Sequence, residues 1–327
     1  MIRSARGTLA ALAVVPIALA LGACGGGEEK KGGGGGGGGA AAPDKVIKPV
    51  AGAESKQEIA IGSKNFTEQY ILGQIYAQSL KAAGFKVNEK VADLGAEQVA
   101  YKSLKADEVD GYPEYTGTAL TSFFDVKIDD VPKDPDKAYE LAKAEYAKED
   151  IVALPRGKFD NTYILATSVE KQKEYGVKTV SELAQKAKGD RLSGFPECRQ
   201  RTDCLIGLKE TYGFDVKFVS TQGQFEPIDQ KQTDIALVFA TDGKLSLTDK
   251  YATYEDDKKL FPPYNISLTM TKKAADAIGP EGQKVITDVQ EGLTPEVMRE
   301  LNSRVDIDKQ EPKKVATDYL KEAGYVK

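Results

Sequence analysis

The chain of 327 residues contains no histidine and no tryptophan, and only three cysteines and three methionines. Without histidine there is no Ser-His-Asp or Cys-His nucleophile, and the usual imidazole ligands of catalytic metals are missing. The strings HExxH, GxSxG and the phosphate-binding P-loop do not occur. Carboxylate or lysine chemistry stays formally open, but the first expectation is a binding protein that is not an enzyme and uses no cofactor and no metal. Charge is close to balance, with 45 Lys and Arg against 50 Asp and Glu, a net of −5. No basic block offers a footprint for nucleic acid, which is therefore not expected as a partner.

Residues 1–23 carry Arg3 and Arg6 ahead of the apolar run LAALAVVPIALALGA, which ends at Ala23. That run is too short for a spanning helix and fits a secretory signal. Leu21-Gly22-Ala23-Cys24 has the form of a lipobox, in which Cys24 would be lipidated and become the new N-terminus; an ordinary cleaved signal with an incidental cysteine is the alternative. Loss of the two arginines takes the net charge from −5 to −7. Residues 24–56 are glycine-rich, have almost nothing to bury and are expected to form a disordered tether. About 32 residues of such coil span roughly 30 Å. The expected location is the outer face of the cell membrane, held by the lipid on Cys24.

The remaining ~270 residues suffice for one large domain or two smaller ones. Ile59 to Gly62 predicts a strand, and Asn65 with Glu68 has capping-box spacing ahead of a helix striped by Ile71, Leu72, Ile75, Tyr76 and Leu80. Strands are expected over 85–91 and 109–112, with a helix over 98–104 between them and a turn at GYPEYTGT, residues 111–118. A second unit starts near Thr162, with strands over 163–166, 216–220 and 234–239 and helices over 181–188 and 203–212. Another strand covers 266–270, Thr294 and Pro295 open a helix, and Pro312 opens the last one. This order indicates α/β layers with mostly parallel strands. DEVDGYPEYTG at 107–117 echoes QTDIALVFATDG at 232–243, an Asp, a short strand, an aromatic, then Thr and Gly. Each unit would carry an aromatic at the carboxyl end of an equivalent strand, the edge where open α/β sheets bind ligands. Cys198 and Cys204, six apart in PECRQRTDC, are expected to form a disulfide; a metal pair is the competitor but lacks histidines or further cysteines to complete it.

IGSKNFTEQYILGQIYAQSLKAAGFKV, DGYPEYTGTAL, NTYILA, FATDG, EDDKKLFPPYN and LNSRVDIDKQEPKKVATDYL resemble, in order, the substrate-binding proteins of glycine betaine/choline/carnitine ABC transporters. The resemblance covers the chain beyond the tether. It implies a two-lobed type II periplasmic-binding-protein fold, with lobes joined by two crossover strands. Lobe I would comprise 57–159 and 264–327, and lobe II 160–263. It also implies a monomeric receptor that closes around a zwitterionic or cationic solute and hands it to a permease subunit with its ATPase. Other zwitterions, among them choline, carnitine, proline betaine and ergothioneine, are rival ligands, and an extracellular sensor is a rival class.

Relatives hold a quaternary ammonium in an aromatic box. The matching positions are Tyr115, Tyr163, Tyr264 and Phe239, where some relatives have tyrosine. Thr118 and Asn161 match flanking polar positions. Lys64 and Arg201 match the cations that face the ligand carboxylate, with Arg199 as an alternative to Arg201. Tyr112 is expected to be scaffold, and Glu114 a helix-start carboxylate or a contact between lobes.

Overall fold

A computed structural model describes residues 45–327; the signal-like segment, Cys24 and most of the expected tether lie outside the described residues. The first half runs β1 (Ile59–Ser63), α1 (Thr67–Ala82), β2 (Val87–Asp93), α2 (Glu97–Lys105), β3 (Gly111–Tyr115), a short α3 (Thr116–Thr118) continued by a π-helical turn (Ala119–Phe123), α4 (Pro135–Ala147) and β4 (Ile151–Ala153). The second comprises β5 (Tyr163–Ser168), α5 (Val169–Tyr175), α6 (Val180–Lys186), β6 (Arg191–Gly194), α7 (Leu205–Tyr212), β7 (Lys217–Ser220), α8 (Glu226–Asp229), β8 (Ile235–Phe239) and β9 (Tyr251–Tyr254). The chain then returns through β10 (Ile266–Thr271) and closes with α9 (Lys272–Glu291), α10 (Pro295–Asp306) and α11 (Pro312–Glu322).

Among the described residues two five-stranded sheets form, in the orders β2-β1-β3-β10-β4 and β7-β6-β8-β5-β9. They are built to one plan. In each, a strand pairs in parallel with two neighbours, and a crossover-flanking strand, β10 in one and β5 in the other, pairs antiparallel next to the third position. β3 and β8 occupy that same third position, so the echo between 107–117 and 232–243 is a structural equivalence. The chain passes between sheets twice, after β4 and after β9, and the two passages touch through a bridge between Asp160 and Asn265. β10 lies between two strands and is buried along its whole length, which explains its unbroken run of burial-tolerant residues.

The apolar stripe of α1 is buried as expected, with Ile71, Leu72, Ile75, Tyr76 and Leu80 each 0% exposed. Each such side chain contributes roughly 1.5–3 kcal/mol by leaving water. Thr294 caps α10 by accepting from the Val297 N–H, again as expected. Three expectations fail. The capping box at Asn65 and Glu68 does not form: Phe66 stands at the cap without a side-chain bond, and Glu68 turns inward to other donors. The strand expected at 85–91 is displaced to Val87–Asp93, with Phe85 buried just ahead of it. The turn expected at 111–118 is a buried strand over Gly111–Tyr115 that leads straight into a helix at Thr116. Pairing of Tyr115 with Ile266 and of Tyr112 with Thr269 draws this segment into the sheet and overrides its Pro and Gly turn chemistry.

Candidate ligand-binding cleft

β3 decides where the first aromatic goes. Side chains alternate across a strand, so Tyr112 and Tyr115, three apart, must face opposite sides. Tyr112 is fully buried in the core and donates its hydroxyl to Glu114 at 3.1 Å. Tyr115, on the other face at the strand's carboxyl end, lines a cavity that encloses about 630 Å³ including its mouth. The seven other expected residues, Lys64, Thr118, Asn161, Tyr163, Arg201, Phe239 and Tyr264, line the same cavity. Two further rings belong to it that sequence reasoning missed, Phe66 and Phe195. Phe66 was hidden by being read as the lead into a helix, and Phe195 by its place beside the cysteine loop.

The rings form a contiguous wall. Phe239 stacks on Phe66 at 5.6 Å, on Tyr163 at 5.2 Å and on Phe195 at 5.2 Å between centroids. Tyr264 meets Tyr163 edge-on at 5.4 Å, and Phe66 lies 6.3 Å from Tyr115. Tyr163 and Phe239 are direct cross-strand partners of β5 and β8, so sheet register sets their contact. Tyr264 is placed by Gly117, where a Cβ would come within 2.9 Å of the tyrosine ring and 2.8 Å of the Pro263 carbonyl. Only glycine allows that approach.

The two cations are already paired. Lys64, 4% exposed, binds Glu114 through Nζ and lies 4.7 Å from the centroid of the Tyr115 ring. Glu114 also accepts from the Tyr112 hydroxyl and from the Tyr115 N–H, so it is neither a helix-start carboxylate nor a contact between lobes. The reason is proximity: β1 and β3 are adjacent, which brings Lys64 onto Glu114. Arg201 donates Nε–H and an Nη2–H to Asp203, at 2.8 and 2.5 Å, and an Nη1–H to Glu97 at 2.9 Å. Although burial acts to raise the Asp203 carboxyl, the adjacent guanidinium holds it below the usual carboxylate range. Asp203 also accepts from the hydroxyls of Tyr264 at 2.6 Å and Thr121 at 3.0 Å. Arg199 is turned away, over the Phe218 ring and bonded to Ser220 and to the Phe218 carbonyl. Cys198 and Cys204 are joined in a disulfide that closes the loop around Arg201.

A second acidic centre joins the two halves. Glu68, 3% exposed, accepts from the Tyr115 hydroxyl at 2.6 Å, from Asn161 and Asn302 Nδ2 at 2.9 Å each, and from the Thr241 hydroxyl. Burial pushes its carboxyl up, against the lowering effect of those donors. Thr241 follows β8, Asn302 lies on α10, and Asn161 lies on the first crossover. Gly243 completes that loop because a Cβ there would strike the Ser303 backbone of α10 at 2.4 Å. An adjoining cavity of about 960 Å³ shares Phe66, Phe195 and Phe239 with the first and is bordered by Glu68, Asp242 and Asp306.

Two sheets of one plan, two crossovers and a ring-lined cavity at the facing strand ends define a two-lobed solute receptor of the type II periplasmic-binding class. The chain belongs to the substrate-binding domains of ABC-type glycine betaine transport systems, whose family model matches residues 57–322. It is similar to the glycine-betaine-binding protein of Pseudomonas aeruginosa, 32% identical over 83% of this chain and 90% of that protein. It is 27% identical to the ergothioneine transport permease/ergothioneine binding protein of Helicobacter pylori, over 83% of this chain and 49% of that protein, so it spans about half of that relative's length. Among solved structures, one titled as a glycine betaine/carnitine/choline ABC transporter matches with a TM-score of 0.66 at 27% identity, over 82% of this chain and 99% of that one. Family membership makes the protein a component of a transporter and not an enzyme.

Proposed function

We propose that this protein captures a quaternary ammonium solute of the glycine betaine type outside the cytoplasm and delivers it to an ABC permease with its ATPase. The observation that carries this reading is the ring wall: six aromatic side chains from six separate segments line one cavity. A trimethylammonium group has no N–H to donate, so hydrogen bonding cannot recognise it. Ring quadrupoles attract it by about 0.5–2 kcal/mol each, depending on desolvation. The Tyr115 and Tyr264 hydroxyls donate to Glu68 and Asp203, which pushes electron density into the rings and strengthens their negative faces.

In this reading lobe I, 57–159 with 264–327, closes on lobe II, 160–263, about the two crossovers. Lys64, Thr118, Asn161 and Arg201 surround the anionic end of the ligand. Lys64 and Arg201 act as ion-paired donors; among the described residues three of the five guanidinium N–H groups are engaged, leaving one on each terminal nitrogen. The adjoining cavity favours carnitine or ergothioneine as a second reading, because it gives room beyond the ring wall for a longer ligand. A lipid on Cys24 would hold the monomer at the outer face of the membrane.

Calorimetric titration of the full chain with glycine betaine, choline, carnitine, ergothioneine and unmethylated amino acids tests the proposal. At least one methylated ammonium compound binds with Kd below about 100 μM, and Tyr115→Ala and Tyr264→Ala each weaken it at least tenfold, about 1.4 kcal/mol. The absence of any such ligand sinks the function. Binding that survives both substitutions sinks the cage.

A further inference from the structure

Arg201 lies between two carboxylates of different character. Asp203, its neighbour in the disulfide-closed loop, is 0% exposed and lies outside the cavity lining, with both oxygens engaged, Oδ1 by Arg201 and Oδ2 by Arg201, Tyr264 and Thr121. It holds the guanidinium in place. Glu97 comes from the opposite side, at the first position of α2, and does line the cavity. Among the described residues its only hydrogen-bonded side chain is Arg201. The two side chains are 14% and 11% exposed, so they meet almost out of water at the cavity wall. The guanidinium therefore faces two carboxylates with its single positive charge, so carboxylates outnumber cations in this cluster before any ligand arrives.

We propose that Glu97 sets the charge specificity of the cleft, by holding one Nη1–H of Arg201 and placing its carboxylate beside the N–H groups left for a ligand carboxylate. The inference rests on the quaternary ammonium reading above. A zwitterion must displace the Glu97 carboxylate from Nη1 or bind beside it, and like charges in a poorly solvated wall repel. A cation without a carboxylate leaves the Arg201–Glu97 pair in place and gains from the surplus negative charge. Glu97 thereby narrows the preference for the zwitterion over the cation by repulsion, while the same ring wall serves both.

The probes are glycine betaine and choline, which share the trimethylammonium head and differ in the carboxylate, titrated calorimetrically into the full chain. Glu97→Gln keeps an oxygen that accepts the Nη1–H bond but removes the charge. It is expected to shift the ratio of choline Kd to betaine Kd at least tenfold in favour of betaine, while Glu97→Asp leaves the ratio within threefold of the original. Equal changes in both Kd values for Glu97→Gln would make Glu97 a simple closure contact and overturn the inference. If neither probe binds the unmodified chain, the quaternary ammonium reading itself falls, and this inference with it. If both bind and only the ratio fails to move, that reading stands and Glu97's role alone is refuted.

Discussion

Replacing Glu68 by glutamine tests whether the buried carboxylate latches the two halves together. One oxygen accepts from Tyr115 and Asn161, the other from Asn302 and Thr241. Glutamine keeps one acceptor oxygen but turns an NH2 group against two donors. A hydrogen bond to a charged acceptor contributes roughly 1.5–3 kcal/mol, and a buried donor left unmatched costs about 1–3 kcal/mol. Desolvation, which raises the Glu68 carboxyl, offsets part of this in the unmodified protein, so the net loss is on the order of 2 kcal/mol. Thr241 and Asn161 lie beyond the first sheet's layers, so the loss falls on the closed arrangement rather than on one lobe. Ligand Kd should rise about 30-fold, the equivalent of 2 kcal/mol, read by calorimetric titration beside a thermal melt of the same sample. An unchanged Kd with a melting temperature lowered by several degrees would refute the reasoning and confine Glu68 to holding lobe I together. Thr241→Val, which removes the hydroxyl and keeps the shape, should move Kd the same way by a smaller factor.

Burial pushes the Asp242 carboxyl up to about 7, and Asp306 and Glu68 are also raised, so the native state holds protons that the unfolded chain releases near pH 4. Their contribution to stability is full below pH 4 and is lost as pH rises from 4 towards 7. Asp242→Asn should flatten that decline, measured as denaturant midpoints at pH 4.5, 6 and 7.5; parallel curves for both proteins would count against it. Cys198 and Cys204 close a loop of about seven residues, for which chain entropy gives about 2 kcal/mol. The double alanine variant should lose about that in chemical denaturation and bind ligand more weakly, since Arg201 lies within the loop; equal stability and equal Kd would refute it. Gly117→Ala forces Tyr264 or the Pro263 carbonyl aside, which should cost about 1–3 kcal/mol and weaken binding, and a variant indistinguishable in both would show that the contact is slack.

The α/β class and the helix striped by Ile71, Ile75 and Leu80 were legible in the sequence, because each depends on local periodicity. The eight side chains that line one cavity were named through the resemblance of several short motifs to a family, since periodicity does not bring together residues as far apart as Lys64 and Tyr264. The repeat of DEVDGYPEYTG in QTDIALVFATDG was legible too, because two sheets of one plan reuse the same strand-end chemistry. What stayed hidden were pairings made across long separations. A strand over 109–112 was legible, but the rest of GYPEYTGT has the composition of a turn, and only the ladder with β10, some 150 residues later, carries the strand on through Tyr115. Glu68 sits at capping-box spacing, and only the approach of Asn161, Thr241 and Asn302 draws it inward.

Charge was the least legible feature. Lys64 and Arg201 read as cations awaiting an anion, because a sequence shows which residues are charged and not which charges meet. The fold sets Glu114 against one, and Asp203 and Glu97 against the other. That a histidine-free binding protein presents aromatic rings at the ends of equivalent strands follows from the residues alone. Which charges meet was settled by the fold, because desolvation makes a buried charge find a partner and partners are chosen by distance in space.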